Sequence, residues 1–399
     1  MSLELSSELL NMSESATFAI SDKAKKLKAL GYDVINLGVG EPDFQTPDPI
    51  KNSAKEALDL NLTHYTAVAG TISIKEAIIR KLKRDNNLNY DVSQICVSNG
   101  AKQSIYNALK AIINLGDEVI VLTPTWVSYP EMIKICGATP VFVECKKEND
   151  FVPNIDDISN KITIKTKAII INSPCNPTGA VFSRELLQKI ADLAYKNNFY
   201  IISDEIYEKL IYDNLKHVSI ASMGDAIKDR TIVINGVSKA YSMTGFRIGY
   251  AAGPQKIISL MSKYQGQTTS CANSIAQYAS TYAIDNGDES CSVMRTEFEK
   301  RRNDLCSMIK AIDGLDCNIP SGAFYLLVNI KGTYGKKYQG KVIGDSIQFS
   351  QLLLENEFVA CVPGAPFYAP NHIRISYALS TDQLYESTAR LKRFVSQLK

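Results

Sequence analysis

Short apolar runs alternate with amphipathic stretches through most of the chain. Runs that favour β-strands lie at 94–98, 118–122, 139–143, 168–172 and 200–203, and helical patterns fit between most of them, at 101–113, 126–136 and 184–197. Because the strands are continuously apolar and separated by helices, the pattern predicts an α/β fold with a mainly parallel sheet covered on both faces. Ligands of such sheets bind beyond the carboxyl ends of the strands.

Further helices and strands are predicted before and after this alternating pattern. Before it, a polar helix is predicted at 13–31, a strand at 33–37, and helices at about 46–60 and 71–85, the first of these two capped by Thr46 or Asp48. The later elements are predicted as strands at 230–235, 247–252, 322–330, 358–361 and 372–376, and helices at 254–264, 272–285, 290–312, 345–356 and 381–397. The long charged helix at 290–312 is expected to leave the sheet, and a compact α+β domain is expected after it.

Composition narrows the class of protein. The 399 residues are 45% hydrophobic and 22% charged, with a net charge of +2, which is typical of a globular chain long enough for two domains and argues against a nucleic-acid partner. Nine cysteines without CxxC pairs and three distant histidines make a disulfide framework or a metal site unexpected. No secretory signal is visible, and no run reaches the roughly 18 apolar residues of a membrane helix. We therefore expect a cytoplasmic enzyme without a membrane partner.

A lysine and an arginine stand out in the loop that precedes the 247–252 run. Lys239 lies among small residues, and Arg247 follows it eight positions later. Lysine forms Schiff bases with aldehydes, and arginine suits a phosphate. Pyridoxal phosphate carries both groups. The alternative is a surface lysine that precedes an ordinary strand.

The strand exits hold further candidates, each with a structural alternative. Gly100 and its neighbours open a helix whose free N–H groups suit a phosphate, and Trp126 can stack on a flat ring or belong to the core. Asn176 lies in a rigid turn between two prolines, able to hold its amide against a ligand. Asp204 can hold a protonated pyridine nitrogen, or cap a helix.

Two candidates lie outside the central pattern. Gly40, in the loop after the first strand, can let backbone N–H groups approach a ligand, or can simply form a turn. Arg374 interrupts an apolar strand, where a buried arginine needs an anion. That anion is either a substrate carboxylate or an internal salt-bridge partner.

The ordered set of these motifs resembles one family over nearly the whole chain, from about residue 11 onward. The motifs are Gly40-Glu41-Pro42-Asp43-Phe44, Tyr65 with Ala69-Gly70, Gly100-Ala101-Lys102-Gln103, Trp126-Val127-Ser128-Tyr129-Pro130, Asn172-Ser173-Pro174 with Asn176-Pro177-Thr178-Gly179, Ser203-Asp204-Glu205-Ile206-Tyr207, Lys239 through Gly249, and Arg374-Ile375-Ser376-Tyr377. They resemble the class I pyridoxal-phosphate aminotransferases of fold type I, and most closely their bacterial-type aspartate aminotransferase branch.

The resemblance implies roles around the ring of pyridoxal 5'-phosphate. Lys239 would hold the cofactor as a Schiff base and later shuttle a proton as base and then acid. Asp204 would keep the pyridine nitrogen protonated. Tyr207 and Asn176 would hydrogen-bond the 3'-oxygen, and Trp126 would stack on the ring.

The resemblance also implies how the phosphate is bound. Arg247 and the amides that follow Gly100, at Ala101 and Lys102, would bind it. Tyr65 would reach the phosphate of the neighbouring subunit, so a homodimer with shared active sites is expected.

The amino-acid and 2-oxo-acid substrates would be held at two ends. Arg374 would clamp the α-carboxylate, helped by Gly40, Trp126 and Asn176. Lys102 would meet a distal carboxylate. The implied reaction transfers the amino group of L-aspartate to 2-oxoglutarate in a ping-pong cycle.

The resemblance implies a domain division and leaves alternatives open. The expected parts are an N-terminal arm at 1–45 that completes the small domain, a large cofactor-binding domain at 46–289 and a small α+β domain at 290–399. Gly236 lacks a hydroxyl that other branches use on the phosphate, and the lid segment 13–17 lacks the Lys-Pro of relatives, which leaves prephenate use and strict aspartate preference open. An aromatic or kynurenine aminotransferase and a β-lyase are alternatives. A non-catalytic regulator is another, although the segment before the first helix is short for an added DNA-binding domain.

Overall fold

The computed structural model describes residues 5–6, 10, 12 and 16–399. Residues 13–15 of the expected lid segment lie outside this part. The described helices are α1 (Ala16–Ala29), α2 (Asp48–Asp59), α3 (Ile72–Asn86), α4 (Ala101–Ile112), α5 (Ser128–Ile135), α6 (Ile155–Ser159), α7 (Arg184–Lys196), α8 (Asp225–Lys228), α9 (Gln255–Thr268), α10 (Ser274–Asn286), α11 (Asp288–Lys310), α12 (Ser346–Glu357) and α13 (Thr381–Ser396). None of them is long and apolar enough to cross a membrane.

The strands follow the predicted order with small shifts at their ends. They are β1 (Ile35–Asn36), β2 (Ile95–Ser98), β3 (Glu118–Thr123), β4 (Thr139–Glu144), β5 (Thr166–Asn172), β6 (Tyr200–Asp204), β7 (Thr231–Gly236), β8 (Gly249–Ala252), β9 (Asp316–Cys317), β10 (Tyr325–Asn329), β11 (Lys337–Tyr338), β12 (Lys341–Val342), β13 (Val359–Ala360), β14 (Val362–Pro363) and β15 (His372–Ser376). The sequence does not predict the short elements α6, α8, β9, β11, β12 and β14, because segments this short carry little periodicity.

Seven strands form the large sheet, in the order β2-β8-β7-β6-β5-β3-β4. Only β8 runs antiparallel to its neighbours, so the predicted mainly parallel sheet is confirmed. Along β5, Ala168 and Ile170 pack in the core that contains α4, α5 and α9, whereas Ile169 and Ile171 pack in the core that contains α7. This alternation buries both faces and explains the continuously apolar strands.

A smaller antiparallel sheet, in the order β14-β15-β10-β9, lies in the C-terminal part. The N-terminal segment joins this part through the parallel pairing of β1 with β13, in which Ile35 lies opposite Val359. The domain limits at 45/46 and 289/290 remain a prediction.

Two local predictions were wrong. The N-cap of α2 is Pro47, without a side-chain hydrogen bond, because the Thr46 hydroxyl donates instead to the Ser242 carbonyl at 2.5 Å and Asp48 pairs with Lys51. Strand β8 begins at Gly249 rather than at Arg247, because Arg247 has a left-handed backbone with φ 55° that cannot belong to a strand.

Candidate active site

Lys239 lies in the loop between β7 and β8, with its amine facing the loop after β1. Its Nζ donates a hydrogen bond to the Gly40 carbonyl at 2.5 Å. Burial lowers the pKa of this amine to about 8; Glu41 opposes the shift, and Arg247 and Arg374 add to it. A much larger fraction of this amine is therefore neutral near pH 7 than for an ordinary lysine, which favours a nucleophilic role.

The N-terminus of α4 and Arg247 form a cradle for an anion. Gly100 precedes α4 with φ 89°, and a Cβ at this position would lie 2.2 Å from Arg247 Nη2. A Cβ on Gly249 would lie 2.1 Å from the Ala101 nitrogen. Arg247 Nη1 donates to the Thr244 carbonyl at 2.8 Å, which holds the guanidinium in place. Free helix N–H groups beside a guanidinium suit a phosphate group.

Gly236 cannot contribute a side chain to this cradle. A Cβ there would lie 2.7 Å from the Ile248 carbonyl oxygen and 3.0 Å from Gly249 Cα. Close packing of β7 against β8 therefore accounts for the missing hydroxyl.

Asp204 ends β6 with a buried carboxylate. Its Oδ2 accepts a hydrogen bond from the Tyr129 hydroxyl at 2.5 Å, and its Oδ1 accepts from the Ile206 backbone N–H at 3.2 Å. Burial raises the pKa of Asp204 to about 6, although both hydrogen bonds oppose that shift. The segment that follows is a turn rather than a helix, so the helix-cap alternative is wrong. The carboxylate is placed to pair with a protonated ring nitrogen.

Arg374 is a buried cation without an acidic partner. It is 2% exposed, and its Nη1 and Nη2 donate to Asn176 Oδ1 at 3.0 Å and to the Gly38 carbonyl at 2.9 Å. Its Nε has no hydrogen-bond partner, and no carboxylate of the described residues lies within salt-bridge distance. The predicted alternative of an internal salt bridge is therefore wrong for the described residues. The guanidinium is free to bind the carboxylate of a ligand.

Aromatic side chains connect Arg374 to Tyr207. The Arg374 guanidinium carbon lies 4.4 Å from the Tyr325 ring centroid and 4.9 Å from that of Phe367. The Tyr325 and Tyr207 hydroxyl oxygens are 3.0 Å apart. Because Asn176 Oδ1 is occupied by Arg374, the Asn176 amide nitrogen remains as a donor toward a ligand.

Trp126 lies half-buried between β3 and α5. Lys102, in the first turn of α4, places Nζ 4.8 Å from the centroid of the Trp126 ring, and Tyr129 packs edge-on against that ring at 5.2 Å. Burial, followed by the nearby Arg247, lowers the pKa of Lys102. Tyr65 is 92% exposed, so a single chain does not bury it.

Sequence reasoning missed three groups at the site. The sequence motifs assign no role to Tyr129 or to the Gly38 carbonyl. Tyr325 lies within the strand predicted at 322–330, which likewise gives it no role. Tyr129 comes three residues after Trp126 and therefore lies near the same strand end, a signal that was available. Nothing in the local pattern distinguishes Tyr325.

A second polar cluster lies behind Asp204. Glu205 accepts hydrogen bonds from Ser219 Oγ at 2.6 Å and from His217 Nε2 at 2.9 Å, and Glu208 pairs with Lys81. These carboxylates have metal-ligand spacing, but the protein's own donors already occupy them. The cluster supports the end of β6.

The chain was compared with known proteins. Residues 32–391 match the family model described as aminotransferase class I and II. The chain is 45% identical to the aspartate aminotransferase of Bacillus subtilis strain 168, covering 99% of this chain and 100% of that protein. It is 44% identical to a probable aspartate/prephenate aminotransferase of Rhizobium leguminosarum bv. phaseoli, covering 99% of both.

Solved structures agree with the sequence matches. The crystal structure of the Rhizobium meliloti aspartate aminotransferase superposes with a TM-score of 0.96 at 38% identity, covering 100% of both chains. The Thermus thermophilus aspartate aminotransferase with maleate gives 0.93 at 39% identity, covering 98% of this chain and 100% of that one. The lysine, the phosphate cradle and the buried carboxylate fit pyridoxal phosphate. The chain therefore belongs to the class I and II aminotransferases, in their fold type I group of pyridoxal-phosphate-dependent transaminases.

Proposed function

We propose that this enzyme reversibly transfers the amino group of L-aspartate to 2-oxoglutarate in two half-reactions. The single observation that carries the proposal is that two of the predicted substrate-binding residues are cations available to carboxylates. Arg374 is buried with no acidic partner among the residues that the structure describes, and Lys102 lies over the Trp126 ring. A dicarboxylic substrate supplies one carboxylate for each cation. The names of the relatives support the same choice.

The cofactor is assigned to the residues that border the cradle. When bound, pyridoxal phosphate supplies a ring that accepts the electrons of a carbanion at the substrate Cα. Arg247 and the N–H groups that follow Gly100, at Ala101 and Lys102, hold the phosphate. Asp204 pairs with the protonated ring nitrogen and keeps it protonated.

The ring is held at its other edge and on one face. Tyr207 and the free amide nitrogen of Asn176 donate hydrogen bonds to the 3'-oxygen. Trp126 packs against the face of the ring. These residues would hold the cofactor at the same site as Lys239.

Lys239 is the proposed base for the proton on the substrate Cα. Burial lowers the pKa of its Nζ to about 8 in the cofactor-free chain, and this amine would accept the proton from the substrate Cα and return it on the cofactor side. Arg374 and the Gly40 backbone hold the α-carboxylate, which fixes the Cα in front of Nζ. Without that clamp the proton transfer lacks a defined geometry.

A substrate panel tests the proposal. Purified enzyme with aspartate and 2-oxoglutarate is expected to form oxaloacetate and glutamate, and Lys239→Ala, folded to the same melting temperature within a few degrees, is expected to form neither. No oxaloacetate, together with turnover of phenylalanine, kynurenine or cysteine conjugates, would reject aspartate as the donor. Prephenate is included as an acceptor because several relatives are named aspartate/prephenate aminotransferases.

The same proposal includes a homodimer with shared sites. Tyr65 is 92% exposed, and other large apolar side chains near it in the sequence are also exposed, namely Leu58, Leu60, Leu62 and Ile72. An exposed apolar surface of this kind is typical of a subunit interface. Tyr65 would then reach the phosphate in the partner's site.

Hybrid dimers test this assignment. Lys239→Ala and Tyr65→Phe chains, co-expressed with two different tags, are isolated as heterodimers. If Tyr65 acts across the interface, one of the two sites has both native residues, and about half of wild-type activity returns. Activity no higher than that expected from the Tyr65→Phe site alone would place Tyr65 in its own subunit's site.

We also propose a cytoplasmic location. All nine cysteines are free thiols, which suits a reducing compartment. Fractionation of the source cell followed by immunoblotting tests this.

A further inference from the structure

Tyr325 contacts both the substrate side and the cofactor side of the site. Its ring centroid is 4.4 Å from the Arg374 guanidinium carbon, and its hydroxyl oxygen is 3.0 Å from that of Tyr207. The same hydroxyl lies 3.1 Å from the position that a Cβ on Gly40 would occupy. Tyr325 is 1% exposed, so solvent does not compete for these contacts.

The strand register explains the contact with Arg374. In the antiparallel pairing of β10 with β15, Leu327 lies opposite Arg374, which makes Tyr325 a diagonal neighbour of Arg374 on the same face. A tyrosine ring reaches across such a diagonal, and a ring face attracts a desolvated guanidinium. Arg374 has no acidic partner among the described residues, so this face and that of Phe367 add to the hydrogen bonds to Asn176 and Gly38 in stabilising its charge before substrate arrives.

The hydroxyl contact has a separate consequence. Tyr207 has a single hydroxyl proton; when it donates that proton to the cofactor 3'-oxygen, its own oxygen can only be the acceptor in its contact with the neighbouring hydroxyl. Tyr325 is the hydroxyl placed to donate that bond. A donor chain of this kind strengthens the second hydrogen bond.

We propose that Tyr325 is a positioning residue for transamination, whose ring fixes the substrate-binding Arg374 and whose hydroxyl orients Tyr207 toward the cofactor. This inference rests on the roles proposed above for Arg374 and Tyr207. The two contacts use different parts of one side chain, so two substitutions separate them.

Tyr325→Phe removes the hydroxyl and keeps the ring. A hydrogen bond to the cofactor 3'-oxygen favours its anionic form, so weakening that bond is expected to raise the pH midpoint of the bound cofactor's absorbance change by about half a pH unit. The Kd for maleate, an unreactive dicarboxylate, is expected to stay within twofold of wild type. Tyr90→Phe is the matched control, because Tyr90 is a buried tyrosine whose hydroxyl has no hydrogen-bond partner.

Tyr325→Leu removes the ring as well. The Kd for maleate is then expected to rise about tenfold, because the guanidinium loses one of its two aromatic faces. If Tyr325→Leu does not fold, Tyr325→Met replaces it, since an unbranched chain fits more shapes.

An unchanged or lowered midpoint in Tyr325→Phe would overturn the assignment for the hydroxyl, and an unchanged maleate Kd in the folded Leu or Met variant would overturn it for the ring. A purely structural role would lower the melting temperature without separating these two readouts. Neither measurement depends on aspartate turnover. Failure of aspartate as substrate is therefore distinguishable from failure of this inference.

Discussion

Replacing Arg374 with glutamine tests whether this residue is a substrate clamp. Arg374→Gln keeps a polar side chain near Asn176 but removes the charge and the fork of donors. Truncating one partner of a buried, hydrogen-bonded charge pair costs about 2–5 kcal/mol. At 1.4 kcal/mol for each tenfold, the Kd for maleate is expected to rise about 30- to 4,000-fold.

Stability is expected to respond differently. Wild-type Arg374 is a buried cation whose pKa is lowered by burial, and no carboxylate within the described part of the chain pairs with it. Removing the charge relieves that desolvation and loses the hydrogen bonds to Gly38 and Asn176, two effects of opposite sign. We expect the melting temperature of the cofactor-loaded protein to change by less than about 3 °C.

Arg302→Gln is the matched control. Arg302 is also 2% exposed, but its Nη1 lies 2.6 Å from Asp213 Oδ2 and donates to the Pro320 carbonyl at 3.0 Å. Its loss is expected to lower the melting temperature by several degrees and to leave maleate binding unchanged. Maleate titration by calorimetry and thermal unfolding give both quantities. A maleate Kd within threefold of wild type in Arg374→Gln, or a stability loss as large as that of Arg302→Gln, would refute the clamp.

Three further substitutions test the cofactor side. Tyr129→Phe removes a hydrogen bond that lowers the pKa of Asp204, so this pKa should rise. The acid limb of kcat/KM against pH should then move to higher pH by about one unit, and an unmoved limb contradicts the pairing of Asp204 with the ring. Gly100→Ala places a Cβ 2.2 Å from Arg247 Nη2, so cofactor affinity measured by absorbance titration should fall more than about tenfold. An unaltered affinity would contradict the assignment of this cradle to the phosphate. In the cofactor-free protein, the pKa of Lys239 is lowered from 10.5 to about 8 by burial. Between these values the unfolded chain binds more protons, so stability rises with pH in this window. Lys239→Met should flatten that rise in urea unfolding from pH 8 to 10, and an identical slope in both proteins would show that the amine is not perturbed.

The sequence-based predictions succeeded where one local pattern determines the outcome. Strands such as β5 and β7 are apolar on both faces because helices cover both faces, and this pattern is visible in the sequence. The same rule placed Asp204 and Asn176 at neighbouring strand ends. In the structure Asn172, which begins the turn to Asn176, donates its side-chain amide to the Asp204 carbonyl at 3.0 Å.

The predictions failed where a contact between segments far apart in the sequence determines the local structure or the role of a residue. Thr46 has the chemistry of an N-cap, but its hydroxyl is used by Ser242. Arginine rarely adopts a left-handed backbone, so nothing local indicates that Arg247 does. The importance of Tyr325 depends on the register of β10 against β15, which no local pattern specifies.

The bond from Arg374 to the Gly38 carbonyl joins residues 336 positions apart, and the bond from Lys239 to Gly40 joins residues 199 apart. At a synthesis rate of about 5–20 residues per second, Arg374 is therefore translated tens of seconds after the loop that follows β1. The cofactor lysine and the cradle are translated well before β15, so a nascent chain can complete the cofactor-binding sheet while the carboxylate clamp is still missing. All the residues proposed to hold the cofactor are therefore translated before Arg374, the residue proposed to hold the substrate carboxylate.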